Sequence, residues 1–483
     1  MRLDDLLRRA GLPPIGLAAD IAGLTADSRQ VRPGFLFAAL PGTRADGARF
    51  VPAALAAGAV AVLAGPGAGA PEGTPLLTVE DPRHALAKLA AAFHGAQPAT
   101  TVAITGTNGK TSTADFLRQL WARDGARAAS LGTLGLIAEG FPRGESLTTP
   151  DPVALHAAMA DLARGGVTHL AMEASSHGLD QRRLDGVVLA AAGFTNLTRD
   201  HLDYHGTMDA YRTAKLRLFD TLLPPGAAAV AHGGMDDATL SAIRAVTRER
   251  RLRLIEVGRE VRLLSHRALP AGQALSVAAF GATAEAELAV PGRFQADNAL
   301  VALSLAVAAG MDAARALALL PRLAPVRGRM ELAARLPNGA AVYVDYAHTP
   351  DALERLLDAL RPHVAPGAKL HALFGAGGDR DPGKRPLMGA AAARFADRVW
   401  VTDDNPRSED PAAIRAAVLA GAGDHAVDAG AREDAIAKAL DALGPGDVLA
   451  VAGKGHESGQ EIAGVKHPFD DLEVVRRLAG VAA

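Results

Sequence analysis

The stretch TTVAITGTNGKTSTADFLRQLWARDG, residues 100–125, decides the fold. Its first six residues are β-branched or apolar and read as a buried strand. Phe116, Leu117, Leu120 and Trp121 then recur at helical spacing, so the segment after Lys110 reads as an amphipathic helix. Between them lies GTNGKTS, residues 106–112. Gly106 and Gly109 let backbone N–H groups turn inward on phosphate oxygens. The helix N-terminus adds positive potential, Lys110 a point charge, and Thr111 a hydroxyl suited to Mg²⁺. The usual phosphate-loop spacing has glycine at the position of Ile104. A glycine-rich turn without a ligand is the alternative, but a Gly-Lys-Thr opening a helix favours a nucleotide phosphate.

Outward from this loop, composition narrows the class. The 483 residues suggest two to four domains, at roughly 100–200 residues each. Hydrophobic residues make up 49% and charged residues 22%, which fits a packed globular protein. The 51 Lys and Arg nearly balance the 53 Asp and Glu, for a net charge of −2, so no basic field for nucleic acid exists. Anionic ligands must be held by local sites. The absence of cysteine excludes disulfides, thiol nucleophiles and Cys-based metal sites. The opening MRLDDLLRRAGLPP does not read as a signal peptide. Residues 53–70 are apolar but rich in Ala and broken by Pro66 and glycines, and read as a helix turning into a short buried strand at 59–63 rather than a membrane span. A cytoplasmic protein is expected, with no membrane or nucleic-acid partner.

Three zones follow from pattern. The first ends near residue 96 and holds short apolar runs at 35–40, 59–63 and 76–79 before a helical segment ending at Gly95. The second carries the phosphate loop and predicted strands at 169–175 and 188–196, and ends near LAPVRGRMEL. The third alternates strands (341–346, 369–374, 398–402, 447–452) with helices (351–360, 384–395, 411–420, 431–443), the signature of a mostly parallel sheet. Each of its strands runs into a polar or glycine-rich loop: DYAHTP, GAGGDRD, TDDNPR and AGKGHE. Ligands of open α/β sheets bind beyond the carboxyl ends of the strands, so four such loops predict one crevice.

The phosphate-loop variant GTNGKTS resembles that of the Mur ligases and their folylpolyglutamate synthetase relatives. EASSHGLDQRRL (173–184), FTNLTRDHLDYHG (194–206), YRTAKLRLF (211–219), VDYAHTPDAL (344–353), FGAGGDRDPGKRP (374–386), DDNPR (403–407) and AGKGHE (452–457) extend the resemblance. It runs from Asp27-Ser28-Arg29 nearly to the end of the chain, toward the family members that add the third peptide residue of the peptidoglycan precursor. The resemblance implies an α/β protein of three domains: 1–96 binding the UDP-muramoyl substrate, a central phosphate-loop ATPase domain at 97–326, and a Rossmann-like domain at 327–483 binding the incoming amino acid. The expected reaction is ATP-dependent amide formation through an acyl phosphate, with UDP-N-acetylmuramoyl-L-alanyl-D-glutamate as acid, meso-diaminopimelate as amine, and a monomeric enzyme.

The same resemblance implies the site residues. Gly106, Thr107, Asn108, Gly109, Lys110, Thr111, Ser112, Asn298, Arg329, Asp345 and His348 are expected to bind ATP. The family often has Asn-Val-x-Asn where this chain has Gln295-Ala296-Asp297-Asn298. Mg²⁺ is expected at Thr111, Glu173, His201 and Lys215, the last carbamylated by CO₂, with Lys110, Lys215 and His201 as the catalytic group. Taken alone, Glu173 reads as a solvated acid at a strand end, His201 as a structural histidine, and Lys215 as a surface helix lysine; Asp200 and Asp203 read equally as helix caps. For the UDP-muramoyl dipeptide the matching positions are Ser28, Thr43, Arg44, Ala45, Thr148, Thr149, Ser175, Gln181 and Arg183; Leu147 stands where relatives carry Asn. For diaminopimelate they are Arg380, Asp404, Asn405, Pro406, Arg407, Gly453 and Glu457. The fork of Arg407 suits the distal carboxylate of diaminopimelate and repels the terminal ammonium of lysine, while Glu457 suits the distal ammonium. Alternatives are a sibling ligase adding L-lysine or D-alanyl-D-alanine, a phosphate-loop kinase or GTPase-like switch, and a nucleotide-binding module without activity.

Overall fold

In the computed structural model, residues 1–17, 19–42, 46–71, 73–142, 147–269 and 272–481 are described. The chain divides into two compact units. One comprises Met1–Lys110, Trp121–Glu256 and Ala308–Gly310; the other comprises Thr111–Leu120, Val257–Val307 and Met311–Ala483.

The first unit holds two sheets. Strands Gly23–Thr25, Phe35–Ala39, Ala61–Ala64 and Leu76–Thr78 lie parallel in chain order. The last three match the expected apolar runs within a residue or two, Gly23–Thr25 is an addition, and the segment at 53–70 splits into helix Val51–Ala56 and strand Ala61–Ala64 as expected. Among the described residues no helix is long and apolar enough to cross a membrane. Leu36, Ala38, Ala61 and Leu63 pack on one face against Leu86 and Leu89 of helix Pro82–His94. Asp81 caps that helix by accepting from His84 N, with Pro82 in the first turn.

The second sheet of this unit is built around the phosphate-loop strand. Five parallel strands run in the order Ala228–His232, Ala191–Phe194, Thr100–Thr105, His169–Glu173 and Ala128–Gly132, with Gly135–Ala138 antiparallel beyond the last. Thr100–Thr105 is central and buried on both faces, which explains its unbroken apolar run. Its neighbours end level with it: Ile104 is in register with Glu173 and Thr105 with Phe194. Three adjacent carboxyl ends therefore deliver the phosphate loop, Glu173 and the Thr195-Asn196 pair to one place.

The second unit contains an antiparallel meander, Val261–Leu269, Gly272–Ala279 and Ala282–Leu288, which the sequence reading does not anticipate. It also contains a six-stranded sheet in the order Glu331–Arg335, Ala341–Asp345, Val448–Ala452, Leu370–Phe374, Arg398–Thr402, Ala426–Gly430. The four expected strands form its parallel centre. Both edge strands are additions, and Glu331–Arg335 runs antiparallel. Tyr343, Phe374, Val399 and Val448 pack under helices Pro350–Leu360 and Lys384–Phe395, while Val344, Leu373, Leu449 and Trp400 pack against Arg432–Asp441 and Asp471–Leu478. With helices on both faces, the loops beyond the strands' carboxyl ends are left for chemistry.

Candidate active site

The phosphate loop is clamped by the strand end beside it. Thr195 Oγ1 donates to Asn108 O at 2.6 Å, Asn196 Nδ2 donates to the same oxygen at 3.0 Å, and Asn196 Oδ1 accepts from Asn108 N at 2.9 Å. Thr107 N donates to Asn196 O, and its hydroxyl donates to Thr198 O at 3.1 Å and meets the Tyr211 hydroxyl at 3.2 Å. Gly106 sits at φ 145°, and a Cβ there would collide with Thr195 Oγ1, so only glycine allows this approach. Lys110 Nζ donates to the carbonyls of Gly106 (2.9 Å) and Thr107 (2.8 Å).

Lys215, on helix Met208–Arg217, donates from Nζ to Gly106 O at 2.8 Å. It is 1% exposed, so the surface-lysine reading is wrong. Tyr211, one turn earlier, places its ring 4.5 Å from the ammonium. Burial, and next the charge of Lys110, push the Lys215 ammonium well below the usual lysine range, against the pull of Asp200. The amine thus tends to its neutral form.

Glu173 is also buried, at 2% exposure, and is not the solvated acid that its position alone suggests. Its Oε1 accepts from Thr133 N at 2.8 Å and its Oε2 from Thr133 Oγ1 at 3.1 Å. A Cβ on Gly132 would overlap Oε1, so the glycine makes the room in which this carboxylate lies. His201 has φ 52° and packs edge-on against His177 (4.9 Å). Burial lowers its pKa most, Asp200 opposes, and Lys110 and Lys215 lower it further. Neither Asp200 nor Asp203 caps helix Leu202–His205: Asp200 Oδ1 accepts from His201 N at 2.8 Å, outside the helix, and Asp203 lies in the first turn.

Around Glu173 five of the expected dipeptide-binding residues meet: Thr148, Thr149, Ser175, Gln181 and Arg183. Thr149 Oγ1 donates to Glu173 O (3.0 Å) and accepts from Ser175 N (3.0 Å); Thr148 Oγ1 meets Thr133 Oγ1 at 3.0 Å. Arg183 donates to Thr149 O at 2.6 Å and to Gln181 Oε1 at 2.8 Å. Ser28 lies in a short 3₁₀ turn following Asp27, and no hydrogen bond joins it to this network. Thr43, Arg44 and Ala45 lie outside the described residues. Leu147 is exposed.

In the second unit, Arg329 Nη2 donates to Thr111 Oγ1 at 3.1 Å, and its guanidinium lies 4.6 Å from the Tyr346 ring. Gln295 Nε2 donates to Arg329 O at 3.3 Å and Gln295 Oε1 accepts from Asn298 Nδ2 at 3.1 Å, so the departure from the family's asparagine is absorbed into a buried pair. Asp345 accepts from Met330 N (2.7 Å) and Ala347 N (2.8 Å); burial raises its pKa against Arg329 and both amides. His348 meets Tyr346 O at 2.8 Å.

Beyond the six-stranded sheet, the loops following Arg398–Thr402 and Val448–Ala452 interlock. Asn405 Nδ2 donates to Glu457 Oε2 (3.0 Å), and Lys454 Nζ donates to both Asn405 Oδ1 and Glu457 Oε2 (3.1 Å each). Asn405 Oδ1 also accepts from Glu461 N (3.0 Å). Arg407, at φ 53°, donates to Gly378 O at 2.6 Å and pairs with Glu461 at 3.3 Å. Its side chain is 22% exposed, so the fork is partly sheltered. Arg380 is exposed on the neighbouring loop. Among the described residues no group of three or more His, Asp or Glu is gathered for a metal. Mg²⁺ does not need one, since it commonly takes one or two protein oxygens and leaves the rest to phosphate and water.

Sequence reasoning misses Thr133, Thr195, Asn196 and Lys454. The last three stand inside quoted motifs without a role. Thr133 carries no local signal, since only the fold brings it to Glu173.

Residues 20–94 match the model of the Mur ligase family catalytic domain, 104–306 the Mur ligase middle domain, and 328–455 the Mur ligase glutamate ligase domain. A protein of Caulobacter vibrioides named UDP-N-acetylmuramoyl-L-alanyl-D-glutamate--2,6-diaminopimelate ligase is 54% identical over 490 aligned positions, covering 100% of this chain and 99% of its own. A solved structure of a ligase bearing the same name is 33% identical, with TM-score 0.71 and 99% of both chains covered. A folylpolyglutamate synthase of Mycobacterium tuberculosis complexed with ADP, 21% identical over 77% of this chain and 91% of its own, shares the fold at TM-score 0.64. The chain belongs to the Mur ligase family.

Proposed function

We propose that this chain is the ligase that joins meso-2,6-diaminopimelate to UDP-N-acetylmuramoyl-L-alanyl-D-glutamate at the expense of ATP, in peptidoglycan synthesis. The observation that carries the choice of amine is the partly sheltered fork of Arg407, tied through Glu461 and Asn405 to the carboxylate of Glu457. A cation and an anion on interlocked loops suit an amino acid whose far end is a zwitterion. The names of full-length relatives support the same reading.

In this reading residues 1–96 bind the UDP moiety, 97–326 bind ATP, and 327–483 bind the amino acid. The dipeptide carboxylate attacks the γ-phosphorus and ADP leaves. The amine then attacks the acyl carbon of the acyl phosphate, phosphate leaves, and the amine gives up a proton. The first step brings two anions together, the carboxylate and the γ-phosphate, and the second needs a neutral amine aimed at the acyl carbon, so the protein's task is charge and position. The residues of 106–112 cradle the phosphates, with Lys110 as the movable cation, and Asn298, Asp345 and His348 serve the adenine and ribose. Thr149, Ser175 and Arg183, already joined, hold the dipeptide, with Ser28, Thr43, Arg44, Ala45, Thr148 and Gln181 completing that role.

Thr111 and Glu173 offer oxygens that suit Mg²⁺, and His201 completes the expected set; the metal would offset phosphate charge. Lys215 is proposed to react as a neutral amine with CO₂, forming a carbamate and releasing a proton. Its burial supports this, because the neutral amine is the form the reaction consumes. The enzyme is proposed to act as a cytoplasmic monomer on these small molecules.

The test is phosphate release with meso-diaminopimelate and L-lysine offered in parallel. Release is expected to need the UDP-muramoyl dipeptide and to respond to meso-diaminopimelate. Equal turnover with L-lysine, or release without either substrate, overturns the assignment.

A further inference from the structure

The amino-acid loops are held together from below by a residue that no motif includes. Arg432 opens helix Arg432–Asp441 and is buried, with its side chain fully out of solvent. Its Nε and Nη2 donate to the two carboxylate oxygens of Asp471, both at 2.7 Å. Nη2 also donates to Ala452 O at 2.9 Å, and Nη1 to Asp403 O at 3.3 Å.

The two carbonyls are not neighbours. Ala452 ends strand Val448–Ala452 and Asp403 follows strand Arg398–Thr402; strand Leu370–Phe374 lies between them in the sheet. One guanidinium therefore spans the width of a strand and joins two loop roots. The residues immediately beyond those roots are Asp404-Asn405-Pro406-Arg407 on one side and Gly453-Lys454-Gly455-His456-Glu457 on the other. Asp471, at the start of helix Asp471–Leu478, orients the fork bidentately and balances its charge.

We propose that Arg432 is a positioning residue for amino-acid recognition: by bridging Asp403 O and Ala452 O it sets the distance between the loop bearing Arg407 and the loop bearing Glu457. This rests on the reading of those loops as the diaminopimelate site. A five-donor planar group can hold one carboxylate and two carbonyls at once, whereas an ammonium, with three donors around a single atom, cannot span them in the same plane. Small displacements of recognition groups carry large costs in substrate positioning.

The test uses three variants of the full chain. Arg432→Lys keeps the charge and removes the span. The double variant Arg432→Met/Asp471→Leu removes span and charge together, so no uncompensated ion is left buried. Asp471→Asn loosens the fork while leaving it in place. Expected are rises in KM for meso-diaminopimelate of about tenfold in the first two and about threefold in the third, by analogy with lost charge-assisted hydrogen bonds. KM for ATP and for the UDP-muramoyl dipeptide stays within about twofold. A folded Arg432→Lys or double variant with unchanged KM for meso-diaminopimelate overturns the proposal. So does failure of all three to fold, which assigns Arg432 to stability alone. Arg407→Ala is measured alongside: if that variant leaves the KM for meso-diaminopimelate unmoved, the site reading has failed rather than the bridge.

Discussion

Lys110 and Lys215 converge on one acceptor: each donates from Nζ to the carbonyl oxygen of Gly106, at 2.9 and 2.8 Å. Two ammonium groups sharing one neutral oxygen repel each other, and burial, with the charge of Lys110 next, pushes the Lys215 ammonium well below the usual lysine range. The chemistry expected of Lys215 is thus prepared by the fold and by Lys110 together.

The sign of the pH effect follows. The folded state holds Lys215 below its usual range, so between that lowered pKa and about 10.5 the unfolded chain binds more protons, and stability contributed by this group rises with pH. Lys215→Met is expected to raise the melting temperature at neutral pH, with the gap to wild type closing as pH approaches 10. Turnover in the same variant should fall by about 10²-fold or more, as for lost positioning of reacting groups. Thermal melts across pH and a turnover assay check the two parts; a gap that widens with pH counts against the buried neutral amine.

A second titration belongs to the interior of the first unit. His156 is 1% exposed, and burial, with His94 adding to it, holds its pKa down at about 4. The native ring is neutral while the unfolded ring protonates near 6.5, so stability is lost as pH falls from 6.5 toward 4 and levels below that. Between pH 6.5 and 5 the contribution is about 2 kcal/mol. His156→Gln is expected to flatten that part of the stability–pH curve measured by urea unfolding. An unchanged slope would show that the ring is protonated in the native state.

Gly132→Ala places a methyl where Glu173 Oε1 lies. The overlap reaches Cδ and Cγ of a buried, hydrogen-bonded carboxylate, so the fold should lose about 1–3 kcal/mol. The carboxylate, however, must leave its place beside Thr133. The Mg²⁺ concentration for half-maximal activity is expected to rise about fivefold or more, a loss of the size seen when a metal ligand is displaced. A magnesium titration alongside a melting curve separates the two effects.

Arg407→Ala is expected to raise KM for meso-diaminopimelate by about 10- to 100-fold, the size of a lost charge-assisted pair, with KM for ATP within about twofold. Steady-state kinetics with each substrate varied in turn provide the check. Equal changes in both constants would mean that Arg407 supports the fold rather than the amine.

Much of this architecture was legible because its signals are local. The phosphate-loop strand and the four central strands of the last sheet are short apolar runs bounded by turn residues, and all appear within a residue or two of expectation. Strand Glu331–Arg335 and the meander at Val261–Leu269 are half-exposed and mix polar with apolar residues, so no run stands out. Lys215 shows a different failure. Its charge suggests the surface, yet it lies four residues after Tyr211 and three before Leu218, both buried, and that helical spacing already marks its face as interior. Thr133 and Arg432 were beyond reach for another reason: each acts on residues distant in the chain, and only the assembled sheet brings them there.

The residues proposed to recognise the amino acid all stand past the final rung of their strands, on loops whose roots are fixed from beneath. Apart from Arg398, the strands Arg398–Thr402 and Val448–Ala452 are buried, and the loops at 404–407 and 453–457 begin only after their last residues. A change of accepted amine can therefore be grafted as a handful of loop letters onto an untouched scaffold, which makes this end of the molecule the natural target for redirecting the enzyme to new building blocks.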